Sequence, residues 1–282
     1  MKVFLVAILT LGYFMKPNAQ VPPNLDPNYE LVTSKSDEFT SSSLDQTKWD
    51  NCANIGIGWG YGSYLSASNV ILDAGYLRLR WSRTGSTMRV GQIRSKNSNY
   101  SYGYFEISAK ILDPGNYKNG IPCATGLWPS FWTYYTGDLP CYHDEIDIVE
   151  TLYKDCKEVN IMGSNIHDKE PESTDPTASD CNGLSRYANR YNYNQPLFED
   201  EHKYAAEWLS DRVILYFDDQ PVGIYYGNGI PQHTQYVVLS MQTNTSWVDF
   251  DGRAGHPRQS RPQFDRLPEL PRRHGVWGLV VG

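Results

Sequence analysis

Three carboxylates stand in a run that otherwise reads as core strand. In HDEIDIVE, residues 143–150, Glu145, Asp147 and Glu150 are interleaved with Ile146, Ile148 and Val149. β-branched residues dominate and a loop containing Gly137, Asp138 and Pro140 precedes, so the segment reads as a strand. Alternation places His143, Glu145 and Asp147 on one face and turns Ile146 and Ile148 toward a core. Strict alternation would turn Glu150 away from the other acids. One extra residue in a β-bulge around Ile148 or Val149 brings it back. Two glutamates so placed can bring their carboxyls to ~5–5.5 Å, where one attacks an anomeric carbon and the other protonates the leaving oxygen. An aspartate between them raises its neighbours' proton affinity or shares a proton, which helps keep an acid protonated near neutral pH. The same pattern also fits a solvent-facing row of acids or a site for a hard cation such as calcium. Taken alone, the eight residues do not separate these readings.

The rest of the chain must supply a frame for that strand. Its 282 residues are enough for one large all-β domain or two small ones. A net charge of −7 excludes a general nucleic-acid or anionic-membrane footprint. Short alternating runs, broken by Gly, Asn, Asp and Pro, outnumber helical patterns. In GYLRLRW, Leu77 and Leu79 face one way and Arg78 and Arg80 the other. YFDDQPVGIYY reads as a hairpin, with a strand to residue 217, a turn at 218–220 and a second strand from Val222. Such spacing indicates an all-β sandwich or barrel. Residues 167–200 are polar and rich in turn formers, and read as a long surface excursion bordering a cleft. Aromatics make up 13% of the chain, which fits either a sugar-binding surface or a sandwich core.

The two ends differ from this body. Residues 1–20 carry a lysine, an apolar run from Val3 to Phe14 and a small residue at Ala19, the layout of a signal peptide cleaved near Ala19 or Gln20. The run is too short to span a bilayer, and no lipid-anchor cysteine follows, so a secreted or periplasmic protein without a membrane anchor is expected. Export makes disulfides possible. Cys52, Cys123, Cys141, Cys156 and Cys181 are odd in number, so at least one is unpaired or bonded to another chain. One or two structural disulfides are expected, with Cys123–Cys141 the first pair to consider, and a metal site is the weaker reading. Residues 21–251 form the expected domain. From Gly252 the chain changes texture, with six arginines, no lysine and four prolines to residue 282, which argues against a central strand there.

The acidic motif and its flanks together resemble glycoside hydrolase family 16, the β-glucanase, laminarinase, agarase and carrageenase group. DEIDIVE resembles the bulged form of the family signature. SKSDEFTSSSLDQTKWD is similar to its opening strand, GQIRSKNSNYSYGYFEISAKI to its Tyr-Gly-Tyr-Phe-Glu strand pair, and GLWPSFWTYY to the tryptophan-rich strand before the signature. EHKYAAEWLSDRVILYFDDQPV is similar to the strand and hairpin that follow it. The resemblance covers most of residues 34–251. It implies a β-jelly-roll sandwich of two curved antiparallel sheets with an open concave cleft, and endo-hydrolysis with retention. It also implies Glu145 as nucleophile, Asp147 as assisting acid and Glu150 as acid/base. No cofactor is required, and the structural calcium that some members hold is doubtful here, because the family's usual last strand has no counterpart after Gly252.

Further site candidates follow from the same resemblance. Arg94 matches a family arginine at the cleft, against a bland reading as a strand-surface charge. Gln92 stands where bacterial mixed-linkage glucanases carry Glu, and His143 where they carry Trp. Both departures argue against that subtype. His143 contacts substrate or a carboxylate, or else caps a loop. Trp132 aligns with the aromatic lining the cleft, while Trp128 and Trp208 are assigned to the core. Trp247 is expected at a distal sugar, and Trp59, with Tyr61, at the glycone-side border. The expected substrate is β-1,3- or mixed β-1,3/1,4-glucan, with agar- or carrageenan-type galactan as runner-up. A non-catalytic carbohydrate-binding jelly roll is the rival from another class. The protein is expected to act as a monomer on a polysaccharide.

Overall fold

A computed structural model describes residues 29–56, 63–73, 75–84, 87–111, 127–136, 143–151, 160–169, 183–185, 189–197, 200–227, 229–243 and 279–281. The expected amino-terminal leader, Trp59, Tyr61, Trp247, Cys123, Cys141, Cys156 and Cys181 all lie outside the described residues. Among the described residues only one short α-helix forms, at Cys52–Ile55, while strands carry the rest of the architecture. The Gln92 to Ser95, Gly103 to Ala109 and later alternating runs become strands because each has an apolar face to bury.

Two antiparallel sheets pack face to face as a jelly-roll sandwich. The larger uses β1 (Trp49–Asn51), β7 (Gln92–Ser95), β17 (Tyr236–Thr243), β9 (Leu127–Thr136), β10 (His143–Glu150), β11 (Ile161–Lys169) and β12 (Gly183–Ser185), in that spatial order, with β13 (Asn189–Asn192) also paired to β11. The smaller has the order β16 (Gln220–Tyr226), β15 (Arg212–Phe217), β14 (His202–Trp208), β8 (Gly103–Ala109) and β18 (Leu279–Val281). Two minor sheets complete the set. One joins β2 (Tyr64–Leu65), β6 (Thr87–Val90) and β5 (Trp81–Thr84), and the other is the pair β3 (Val70–Asp73) and β4 (Tyr76–Leu79). Between the two main sheets lies one core. Ile93, Phe131, Ile146, Ile148 and Leu239 from the larger sheet meet Phe105, Ile107, Tyr204, Trp208 and Leu215 from the smaller.

The hairpin turns on Asp218 and Asp219, both at positive φ (47° and 64°), the geometry whose twist matches its flanking strands. Asp218 tolerates that conformation because its carboxylate accepts hydrogen bonds from the Lys203 N–H and from His202 Nδ1.

One sequence expectation is corrected by the described strands. The region from residue 167 is not surface excursion at its start, since β11 runs on through His167 to Lys169 and pairs with the acidic strand. The tail contributes an edge strand, which an argument against a central strand leaves open. Leu279–Val281 pairs antiparallel with Ile107, Glu106 and Phe105 of β8. It occupies a sheet edge, where a short segment beyond the prolines is tolerated.

Candidate active site

β10 carries the chemistry, and a bulge decides its form. Its register against β9 runs regularly from His143↔Thr136 to Asp147↔Trp132, then shifts so that Val149 faces Phe131 and Glu150 faces Ser130. Against β11 the shift lies between Asp147 and Glu150. The extra residue lets Ile148 and Val149, both fully buried, enter the core side by side. Glu150 thereby returns to the face of Glu145 and Asp147. On β11, Gly163 lies opposite Glu150. A Cβ at that position would lie 2.7 Å from the Glu150 carbonyl oxygen, so only glycine lets the two backbones approach this closely.

Residues directly opposite on neighbouring strands share a face, which sets out the floor of the site in rows. One row is Tyr236, Tyr134, Glu145 and His167, and the next is Arg94, Val238, Trp132, Asp147 and Asn165. A third is Gln92, Ser240, Ser130, Glu150 and Gly163. Trp132, Tyr134 and Val238 form an apolar cluster separate from the core, with Tyr236 against it.

The three acids are displaced in opposite directions, one downward and two upward. Burial opposes the charge on Glu145. A hydrogen bond from His143 (Nε2 to Oε2, 2.6 Å) and the charges of His143 and His167 outweigh it and hold the carboxyl below its usual range. Asp147 is pushed well above the usual range by burial and by Glu145 and Glu150 on either side. Its Oδ2 lies 3.2 Å from His167 Nε2. Glu150 is pushed up to about 8 by burial and the Glu145 charge, against hydrogen bonds from Asp147 and Trp128. Around neutral pH the site therefore offers one ionised glutamate and one protonated glutamate on the same face.

The remaining candidates fall as follows. Arg94 lies on the floor, its guanidinium over the Tyr236 ring at 4.1 Å, its Nη1 donating to the Tyr134 hydroxyl at 3.1 Å and its Nη2 3.7 Å from Asp50. Trp132 is also on the floor, with its indole N–H donating to the Ser240 hydroxyl. Gln92 is buried in the glutamate row, and neither atom of its amide finds a partner among the described residues. Trp208 is in the core, donating to the Pro231 carbonyl. Trp128 is not a core member. It lies on the site face and donates to Glu150, which a count of positions could have shown, because Trp128 and Trp132 share one parity on β9.

His167, Tyr134 and Tyr236 were missed by sequence reasoning. The strict alternation of buried Met162, Ser164 and Ile166 was the available signal for His167, hidden by the polarity of its neighbours. Cys52 is a free thiol, buried and pushed up to about 12 by burial, which disfavours the reactive thiolate. Glu145, Asp147 and His167 offer one ligand atom each within 4.8 Å of one another, a spacing at which three such groups could also hold a divalent ion.

Comparison with known proteins agrees with this frame. The family model for glycosyl hydrolases family 16 matches residues 60–258. Beta-porphyranase B of Zobellia galactanivorans is 25% identical over 238 residues, spanning 77% of each chain. Beta-agarase A of the same organism superposes with a TM-score of 0.66 at 19% identity, covering 93% of this chain and 94% of that one. A laminarinase of Flavobacterium sp. UMI-01 superposes with a TM-score of 0.57 at 18% identity, covering 89% and 97%. A two-sheet jelly roll with a carboxylate-bearing strand in its larger sheet is the class of protein these observations define. The chain belongs to glycosyl hydrolase family 16, and it is a glycosidase of polysaccharides.

Proposed function

We propose that this chain is an exported, retaining endo-glycosidase of a β-linked polysaccharide. The observation that carries the reading is the opposite displacement of two glutamates on one strand, Glu145 toward the ionised form and Glu150 toward the protonated form. Glu145 attacks the anomeric carbon as Glu150 gives its proton to the departing oxygen, forming a glycosyl ester on Glu145. Water then gives a proton to the Glu150 carboxylate and attacks the same carbon, releasing Glu145. Asp147, protonated by its surroundings, donates a hydrogen bond between the two. Every proton in this cycle is accounted for by side chains, so no cofactor is invoked. Arg94, Gln92, Trp132, Tyr134 and Tyr236 form the floor that holds the sugars.

On the substrate, the match to beta-porphyranase B over 77% of both chains favours a galactan, ahead of the glucan expected from the motif alone. The neutral amide of Gln92, where mixed-linkage glucanases carry a carboxylate, is in keeping with that order. A sugar-binding sandwich without catalysis has no use for two glutamates held in opposite ionisation states.

The test is reducing-sugar release from agarose, porphyran, κ-carrageenan, laminarin and barley β-glucan, with NMR of the newly formed anomer. We expect cleavage of one polymer with retained configuration. Glu145→Gln should lose activity by at least ~10³-fold, the scale on which removing a covalent nucleophile acts. A cooperatively folded protein that cleaves none of them, or that inverts the anomer, would overturn the proposal.

A further inference from the structure

A short polar contact on the acidic face belongs to a residue that the double displacement does not use. His143 Nε2 lies 2.6 Å from Glu145 Oε2, two residues away on the same face of β10. His167, by contrast, stands 3.7 Å from the other oxygen, Oε1. An ionised carboxylate only accepts hydrogen bonds, so His143 must carry a proton on Nε2 while Glu145 is charged. The backbone at His143 is held by its strand neighbours, with Cα partners Thr136 on β9 and Lys169 on β11, and the side chain is only partly exposed.

We infer that His143 is a positioning residue for the second half of the reaction: it stabilises Glu145 as the leaving carboxylate when the glycosyl-enzyme is hydrolysed. The inference rests on the retaining reading above. In the ester, Glu145 carries no charge and its oxygens are weak acceptors, so the His143 N–H gains little there. During hydrolysis a water O–H bond breaks, its proton goes to the Glu150 carboxylate, and its oxygen bonds to the anomeric carbon. The bond from that carbon to Glu145 breaks, and the electron pair returns to the carboxylate. Charge thus reappears at the group His143 faces, and a hydrogen bond to a charged oxygen is roughly twice as strong as one to a neutral oxygen. The same donor makes Glu145 a weaker nucleophile in the first half, so its loss slows hydrolysis of the ester without slowing its formation. No such donor is built into a bare Glu-x-Asp-x-x-Glu motif; it is a property of the residue at position 143 in this chain.

The test is steady-state kinetics of His143→Leu and His143→Gln on the polymer that the wild type cleaves, with intact-mass analysis of samples quenched during turnover. When hydrolysis of the intermediate slows, the enzyme accumulates as glycosyl ester, and kcat and KM fall together. For His143→Leu we expect kcat and KM each to drop roughly tenfold, with kcat/KM within about threefold of wild type. The quenched mass should show the adduct. His143→Gln, whose amide still donates, should restore most of kcat. A fall in kcat/KM with KM unchanged or raised, no adduct, or no effect at all would overturn the inference, because a sugar contact or a structural role predicts those results. If His143→Leu fails to fold, His143→Asn, polar but too short to reach Oε2, takes its place. The anomer formed by the wild type separates the two readings. Inversion would sink the retaining mechanism and this inference together, while retention without the paired fall would sink this inference alone.

Discussion

Glu145 and Glu150 are the same side chain five positions apart, and only their neighbours make them different. Glu145 faces two imidazoles, whereas Glu150 faces two carboxyl groups and an indole N–H. The sign of each displacement fixes the pH dependence. The proposed reaction needs Glu145 ionised, so kcat/KM should fall only below the ordinary carboxylate range. It needs Glu150 protonated, so kcat/KM should fall again as pH rises through about 8. Trp128→Phe checks the cause on that side. The indole hydrogen bond favours the charged form of Glu150, so removing it should move the alkaline limb to higher pH and leave the acid limb in place. A pH series of kcat/KM for the two proteins is sufficient. At this scale the three acids were legible, because charge in an apolar strand demands an explanation. Their unequal ionisation was not, since it depends on burial in the folded site and on His167 from another strand.

The acidic strand works only as part of a pair whose backbones nearly touch. The bulge was legible because Glu150 is out of phase with Glu145 while Ile148 and Val149 are both apolar. What sequence could not give is how the neighbouring strand accommodates it. Gly163 does so by having no side chain, and glycine in a strand of mixed polarity gives no sign of which backbone approaches it. Gly163→Ala would place its Cβ 2.7 Å from the Glu150 carbonyl, with backbone as the obstacle, so β10 or β11 must shift. We expect a loss of about 1–3 kcal/mol, as for overpacking elsewhere, together with a fall in kcat of at least tenfold. Gly56→Ala is the control. That glycine ends the short helix at φ 65° with open space around it, so alanine there should cost stability alone, about 1 kcal/mol. Thermal melts and kcat for the two variants separate damage at the site from general strain.

The sandwich is closed by segments remote in sequence. β7 pairs with β17 in one sheet, and β8 pairs with β18 in the other. Composition and alternation revealed the sandwich, but not the role of the tail, because three residues are too short to show alternation beyond four prolines. Removing residues 279–282 would uncover the backbone donors and acceptors of β8 at Phe105, Glu106 and Ile107. The truncated protein should melt at lower temperature and aggregate more readily, yet keep its kcat per folded molecule, because the acids stand on the other sheet. Light scattering during a melt, with kcat measured on the monomeric fraction, tests both halves of that expectation. The pairing has a further consequence for how the chain is made. β8 leaves the ribosome roughly 170 residues before the strand that covers it, so the smaller sheet keeps an open edge throughout synthesis. Closure of that edge, rather than formation of the acidic strand, is then the step at which a growing chain is most exposed to pairing with its neighbours.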